Sequence, residues 1–104
     1  MAEILEVLEG LQNQSADERQ AYNITTTNWA SSPTSTVVKA YNETANDEDV
    51  TSTVFPTNSP SESGDVITLS LLRALTRGNT YRIEVQFTVS SNVYECYFRV
   101  KCCK

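Results

Sequence analysis

The stretch from Tyr81 to Cys102 limits what this chain can fold into more than any other feature. Tyr81, Ile83, Val85, Phe87 and Val89 alternate strictly with Arg82, Glu84, Gln86 and Thr88. After Ser90-Ser91-Asn92 the same period resumes, with Tyr94, Cys96, Phe98, Val100 and Cys102 set against Val93, Glu95, Tyr97, Arg99 and Lys101. Successive side chains on a strand point to opposite faces, so a period of two this regular marks strands with one face on a core and one in water. The small polar residues between the two runs form a tight turn, which makes the pair a long hairpin. A lone hairpin is marginal in water and needs further strands or a second layer over its apolar face. With 104 residues the chain can supply one such core but not two, so a single all-β module is expected.

Upstream, the same period appears in shorter pieces. Tyr22, Ile24 and Thr26 alternate with Asn23, Thr25 and Thr27 in a strand that Trp29 closes. Ser31-Ser32-Pro33-Thr34 reads as a turn. Ser35 to Tyr41 reads as a strand carrying Val37, Lys39 and Tyr41 on one face and Val38 and Ala40 on the other, and either face could be the buried one. Acidic Asn42 to Asp49 is expected as a solvated loop, β-branched Val50 to Phe55 as a short strand ended by Pro56, and Thr57 to Asp65 as a loop leading into the strand Val66-Ile67-Thr68-Leu69. About six or seven strands at this spacing suit an antiparallel immunoglobulin-like β-sandwich. In such domains a tyrosine opening the penultimate strand returns its hydroxyl to the backbone just upstream, and Tyr81, after the Gly78 turn, stands where that corner belongs.

Residues 1–20 follow another rule. Ile4, Leu8 and Leu11 are spaced four and three apart, Leu5 and Val7 widen the stripe, and Glu3, Glu6 and Glu9 put acid in the first turns. This predicts a short amphipathic helix over Ala2–Gln12, followed by polar Asn13 to Gln20. A helix of about a dozen residues is marginal alone, so the stripe must rest on the protein's own sandwich or on a neighbouring subunit. The expected organisation is an arm over 1–20 and a sandwich over 21–104.

Composition narrows the function. The net charge is −5 and the eight basic residues are scattered, which argues against binding nucleic acid through its phosphates. No stretch suits a membrane span, and the apolar run from Ile4 to Leu11 lacks a positive leader. The three cysteines are odd in number, and Cys96 and Cys102 lie roughly 20 Å apart along one strand, too far to bridge. Thiols in a chain without a secretion signal point to a reducing cytosol, where the sequons Asn23-Ile24-Thr25 and Asn42-Glu43-Thr44 are chance matches.

There is no histidine, so the commonest general base and zinc ligand is missing. Cys102 and Cys103 point to opposite faces, and Cys96 and Cys102 read as small core residues. Asp47-Glu48-Asp49 lacks the spacing of a calcium loop, and Gly10, Gly64 and Gly78 stand alone, so no loop cradles a phosphate. The expectation is no enzyme, no cofactor, no metal and no small-molecule substrate. Interaction residues remain: the arm's Ile4, Leu5, Leu8 and Leu11, then Trp29, and Tyr97, which shares the outer face of the last strand with Val93. An exposed tyrosine there could equally serve only to stabilise the sheet.

From Ala21 to Cys102 the chain resembles small virion proteins encoded among the head and neck genes of tailed bacteriophages, many of them immunoglobulin-like. The likeness lies in Tyr22-Asn23-Ile24 leading to Asn28-Trp29, in Pro33-Thr34-Ser35, in Gly64 to Leu69 and in Leu75-Thr76-Arg77-Gly78-Asn79-Thr80-Tyr81 to Val85. It implies a structural protein of the virion, made in the host bacterial cytoplasm. Foremost is a capsid decoration or cement protein, a homo-oligomer binding the major capsid protein or neighbouring virion proteins. A neck or tail component is the next reading, and a carbohydrate- or host-binding sandwich using Trp29 and the tyrosines is a third.

Overall fold

The computed structural model describes residues 4–6, 12–16, 18–26 and 32–102, with the backbone alone along 4–6 and at 12. Nine strands are described: β1 (Ile4–Glu6), β2 (Gln12–Gln14), β3 (Asn23–Thr25), β4 (Thr34–Asn42), β5 (Glu48–Asp49), β6 (Ser61–Ser63), β7 (Val66–Thr68), β8 (Thr80–Val89) and β9 (Asn92–Cys102). They form two sheets. The larger runs β1-β9-β8-β4-β5, with β2 also on β9, and the smaller runs β3-β7-β6. The fold is all-β, as the periodicity predicts.

The hairpin is the spine. β8 and β9 pair without a register break from Thr80↔Lys101 to Val89↔Asn92, closing on a two-residue turn in which Ser90 takes φ 54°. That positive φ is the backbone twist that two-residue hairpins favour. β4 lies antiparallel on the other side of β8, and its inward residues are Val38 and Ala40, while Val37 is 47% exposed. Ile24 and Ile67 of the small sheet join Val38, Ile83, Val85, Phe87, Cys96, Phe98 and Val100 in one core. At this core's rim the Tyr81 hydroxyl accepts the Thr76 N–H at 2.7 Å, so the expected corner is formed.

The N-terminal helix expected over Ala2–Gln12 is corrected at both ends that are described. Ile4–Glu6 and Gln12–Gln14 are strands laid parallel on β9, with Leu5 opposite Cys96 and Gln14 opposite Cys102. A short amphipathic stripe lacks helical stability of its own, and β9 offers it a row of open backbone groups. Leu8 and Leu11, between the two strands, lie outside the described residues, as do Trp29 and Cys103.

Val50–Phe55 is also corrected. Thr51–Val54 is one helical turn, α1, burying Val54 and Phe55 against the core. The Thr51 hydroxyl, bonded to Asp49 at 2.7 Å and to the Ala40 carbonyl at 3.4 Å, ties the turn to β4. The preference of β-branched residues for strands gives way to the burial of two large side chains just before Pro56.

Candidate functional site

The outer face of the large sheet is the most organised surface of the described residues. Cross-strand register sets its rows: Val37, Gln86 and Glu95, then Lys39, Glu84 and Tyr97, then Tyr41, Arg82 and Arg99. The Arg82 guanidinium lies 5.1 Å from the centre of the Tyr41 ring and that of Arg99 5.3 Å from Tyr97. Each tyrosine therefore has one ring face taken by a cation, which stiffens the side chain and withdraws that face from stacking on a sugar.

Carboxylates from the acidic loop, with Glu84 of β8, hold the arginines. Arg82 reaches Glu43 at 3.0 Å, Asp47 at 3.2 Å and Glu84 at 2.8 Å, while Glu43 also accepts from Arg99 Nε at 3.1 Å. Burial alone would lower the Arg82 pKa, but its bonds to Glu84, Asp47 and Glu43 raise it overall. The loop expected to be merely solvated is thus folded over the sheet. Glu43 starts a 3-10 turn, Glu43–Ala45, capped by the Asn42 side chain, which accepts the Thr44 and Ala45 N–H groups at 3.1 and 3.2 Å. The bonds from Glu43 to Arg82 and Arg99 could not be read locally, because they span 39 and 56 positions.

Of the residues singled out in the sequence, Tyr97 stands in the middle of this face, partly buried under Arg99. Val93, four positions earlier on the same face of β9, is 36% exposed. Ile4 and Leu5 belong to β1 on the far side of β9, with the Ile4 backbone in register with Glu95. The structure therefore brings the arm's first strand alongside the row of Tyr97.

Gln14 is a residue the sequence did not flag. It is fully buried, donating to the Leu72 carbonyl at 2.7 Å and the Glu18 carbonyl at 3.1 Å and accepting from the Tyr22 hydroxyl at 2.9 Å. One side chain thus links β2, on the large sheet, to Tyr22, whose carbonyl accepts the Leu69 N–H, and to Leu72, which pairs with Gln20. A glutamine within the polar run Asn13 to Gln20 carries no periodic signal, and only tertiary contacts reveal it.

Reactive chemistry finds few footholds. Cys96 and Cys102 are buried, and burial pushes the Cys96 thiol up to about 12, far from the thiolate a nucleophile requires. Among the described residues no group of three or more Cys, Asp or Glu side chains is placed to hold a metal. The depression between Val37, Lys39, Tyr41, Gln86 and Glu95 measures about 120 Å³, against roughly 300–1,000 Å³ for small-molecule pockets. A wider, open trough of about 670 Å³ beside α1 is lined by Ser52, Phe55, Pro56 and Asn58 together with Asp49 and Thr51, which bond each other. No helix of the described residues is long and apolar enough to cross a membrane.

Fold and face together define a class: a two-sheet β-domain with a rigid outer face of stacked Tyr–Arg pairs. Comparison with protein-family models, with curated proteins and with solved structures found no match.

Proposed function

We propose that this protein is a structural virion component of a tailed bacteriophage, a capsid decoration or cement protein whose immunoglobulin-like sandwich sits on the shell in many copies. The observation that carries the reading is the parallel annex on β9. Ile4–Glu6 is joined to β9 over three residues, from Ile4↔Glu95 to Glu6↔Tyr97. Parallel pairs are slightly weaker per residue than antiparallel ones, and so short a ladder belongs to the low-stability end of a fold. Such a segment exchanges readily between its own sheet and a strand edge on a neighbour, a recognised way for extended chain to bind a protein. Ile4, Leu5, Leu8 and Leu11 then supply the apolar contacts to the major capsid protein, with Trp29 and Tyr97 as further contacts on the sandwich.

Several features support the body of the proposal. The two-sheet order, with β8 and β9 beside β4 and β3-β7-β6 opposite, suits an immunoglobulin-like topology, as does the Tyr81 corner. Buried thiols suit manufacture in the bacterial cytoplasm, and the acidic balance suits a protein partner rather than nucleic acid. No step of the reading needs catalysis, a cofactor or a small-molecule substrate.

Deletion of residues 1–11 tests the arm directly while sparing Gln14 and its bonds. The truncated chain should keep its strand circular dichroism and cooperative melting yet no longer sediment with capsids. Undiminished sedimentation would remove the arm from the binding mechanism.

A further inference from the structure

We infer that the groove running from Leu71 to Arg19 receives the N-terminal arm of a second copy of this chain, with an aliphatic side chain of the arm on Leu71 and a carboxylate between Arg73 and Arg19. The inference rests on the reading above in one respect, that β1 can leave β9. It adds the body of a sister copy to the surfaces that accept the arm.

Arg19 and Arg73 stand opposite each other, one position beyond the isolated antiparallel bridge Gln20↔Leu72, whose two backbone bonds measure 3.2 and 2.8 Å. Like charges set opposite on paired strands repel. Both residues line one depression of about 190 Å³ with Ala16 and Ala74, and neither is in an ion pair among the described residues. Glu18 lies beside them, but its carboxylate accepts the Ser15 N–H at 2.7 Å, and one acid against two arginines leaves a positive excess. Arg73 also closes a second depression of about 280 Å³, lined by Pro56, Thr57, Ser70 and Leu71. Leu71, 48% exposed, is the most exposed large hydrophobic residue among those described. Leu72 between them is buried, so Leu71 and Arg73 share the outer side of an extended segment, two positions apart. The groove is formed in advance: the Ser59 N–H donates to the Ser70 hydroxyl at 2.8 Å, and the Arg73 N–H to the Val54 carbonyl at 3.0 Å. A preformed groove loses little entropy when it is filled.

The arm carries the complementary pattern. From Met1 to Gly10 its only charged side chains are Glu3, Glu6 and Glu9, set among Ile4, Leu5, Val7 and Leu8, and the first basic residue of the chain is Arg19 itself. On an extended chain Ile4, Glu6 and Leu8 share one side. Aliphatic and acidic side chains therefore recur two positions apart, which is the spacing of Leu71 and Arg73. Copies repeated on a shell hold each arm close to another copy's groove, so a contact that is weak in dilute solution is filled there.

The test titrates the ¹⁵N-labelled full chain with a peptide of residues 2–11, acetylated and amidated so that its charge is that of the three glutamates alone. Saturable amide shifts should appear at Arg19, Leu71 and Arg73 below about 1 mM peptide, and added salt should weaken the binding. Leu71→Ser should weaken it too, and the double variant Arg19→Glu, Arg73→Glu should do so at least about tenfold. A peptide carrying Glu3→Lys, Glu6→Lys and Glu9→Lys should bind that double variant and not the wild type. Far-UV circular dichroism checks that each variant is folded, and Arg73→Gln replaces the double variant should it not fold. No saturable shift overturns the inference, as do shifts confined to β9 or binding indifferent to Leu71→Ser and Arg73→Gln. Inorganic phosphate shifting Arg19 and Arg73 where the peptide shifts nothing also overturns it, by marking a simple oxyanion site. The titration contains no capsid, and the capsid assay deletes no residue of the groove, so failure of the groove and failure of the virion reading are separate results.

Discussion

Single side chains decide how firmly the N-terminal strands are tied down. Gln14 is the clearest case, because all three of its hydrogen bonds are made inside the fold. Gln14→Ala removes that partner from the Leu72 carbonyl, which keeps the Gln20 N–H, and from the partly buried Tyr22 hydroxyl, at a cost of about 1–2 kcal/mol. Urea denaturation of the variant measures it, and a loss below about 0.5 kcal/mol would mean that water replaces the amide without penalty. Removing the Tyr81 hydroxyl, in Tyr81→Phe, should cost about 1 kcal/mol by freeing the Thr76 N–H.

Alkaline pH probes the same neighbourhood. Burial, with Glu18 adding to it, pushes the Tyr22 hydroxyl from 10.0 up to about 12, and burial alone pushes the Cys96 thiol from 9.0 to about 12. Both groups lose their protons more easily in the unfolded chain, so the unfolded state binds fewer protons once the pH passes 9. Their contribution is whole below pH 9 and is lost progressively up to about pH 12. Thermal midpoints should therefore fall steadily above pH 9, and Cys96→Ala should delay the onset of that fall. A midpoint flat to pH 11 would contradict burial of both groups.

At the level of elements, the charged loop over the sheet is the most informative piece. Arg82 gathers Glu43, Asp47 and Glu84, and its side chain is only 21% exposed. Arg82→Gln leaves three carboxylates crowded together, so it should cost about 1–2 kcal/mol in low salt and less in high salt, where their repulsion is screened. A cost that does not change with salt would show that packing against Tyr41, rather than charge, is what Arg82 contributes. Ala74, in the segment joining β7 to β8, takes φ 61°. A non-glycine residue is strained there, so Ala74→Gly should raise stability by about 0.5–1 kcal/mol in the same assay.

How much of this was legible beforehand varied by element for physical reasons. The hairpin, β7 and the Tyr81 corner were readable because a half-buried strand writes its burial into every second residue. Ile4–Glu6 and Gln12 misled because the apolar spacing of Ile4, Leu8 and Leu11 satisfies a helical period, while at these described positions the backbone of β9 decides. Val50–Phe55 misled because its β-branched residues match a strand while burial of Val54 and Phe55 imposes a turn of helix. The bonds from Glu43 to Arg82 and from Gln14 to Leu72 cross 39 and 58 positions, and no local pattern encodes them. Tyr97 was placed on its outer face correctly, since that face follows from alternation alone; Arg99 covering its ring was not foreseen.

The whole molecule is a hairpin-centred pair of sheets that holds a weakly paired strand, β1, at one edge and a patterned face beside it. That arrangement suits the structural role proposed above. The proposed virion role is tested most directly by copy number in the purified particle, which quantitative mass spectrometry against the major capsid protein reads. Hundreds of copies per particle are expected of a shell decoration protein. A dozen or so would move the protein to the neck or tail, and absence from the particle would contradict a structural role in the virion altogether.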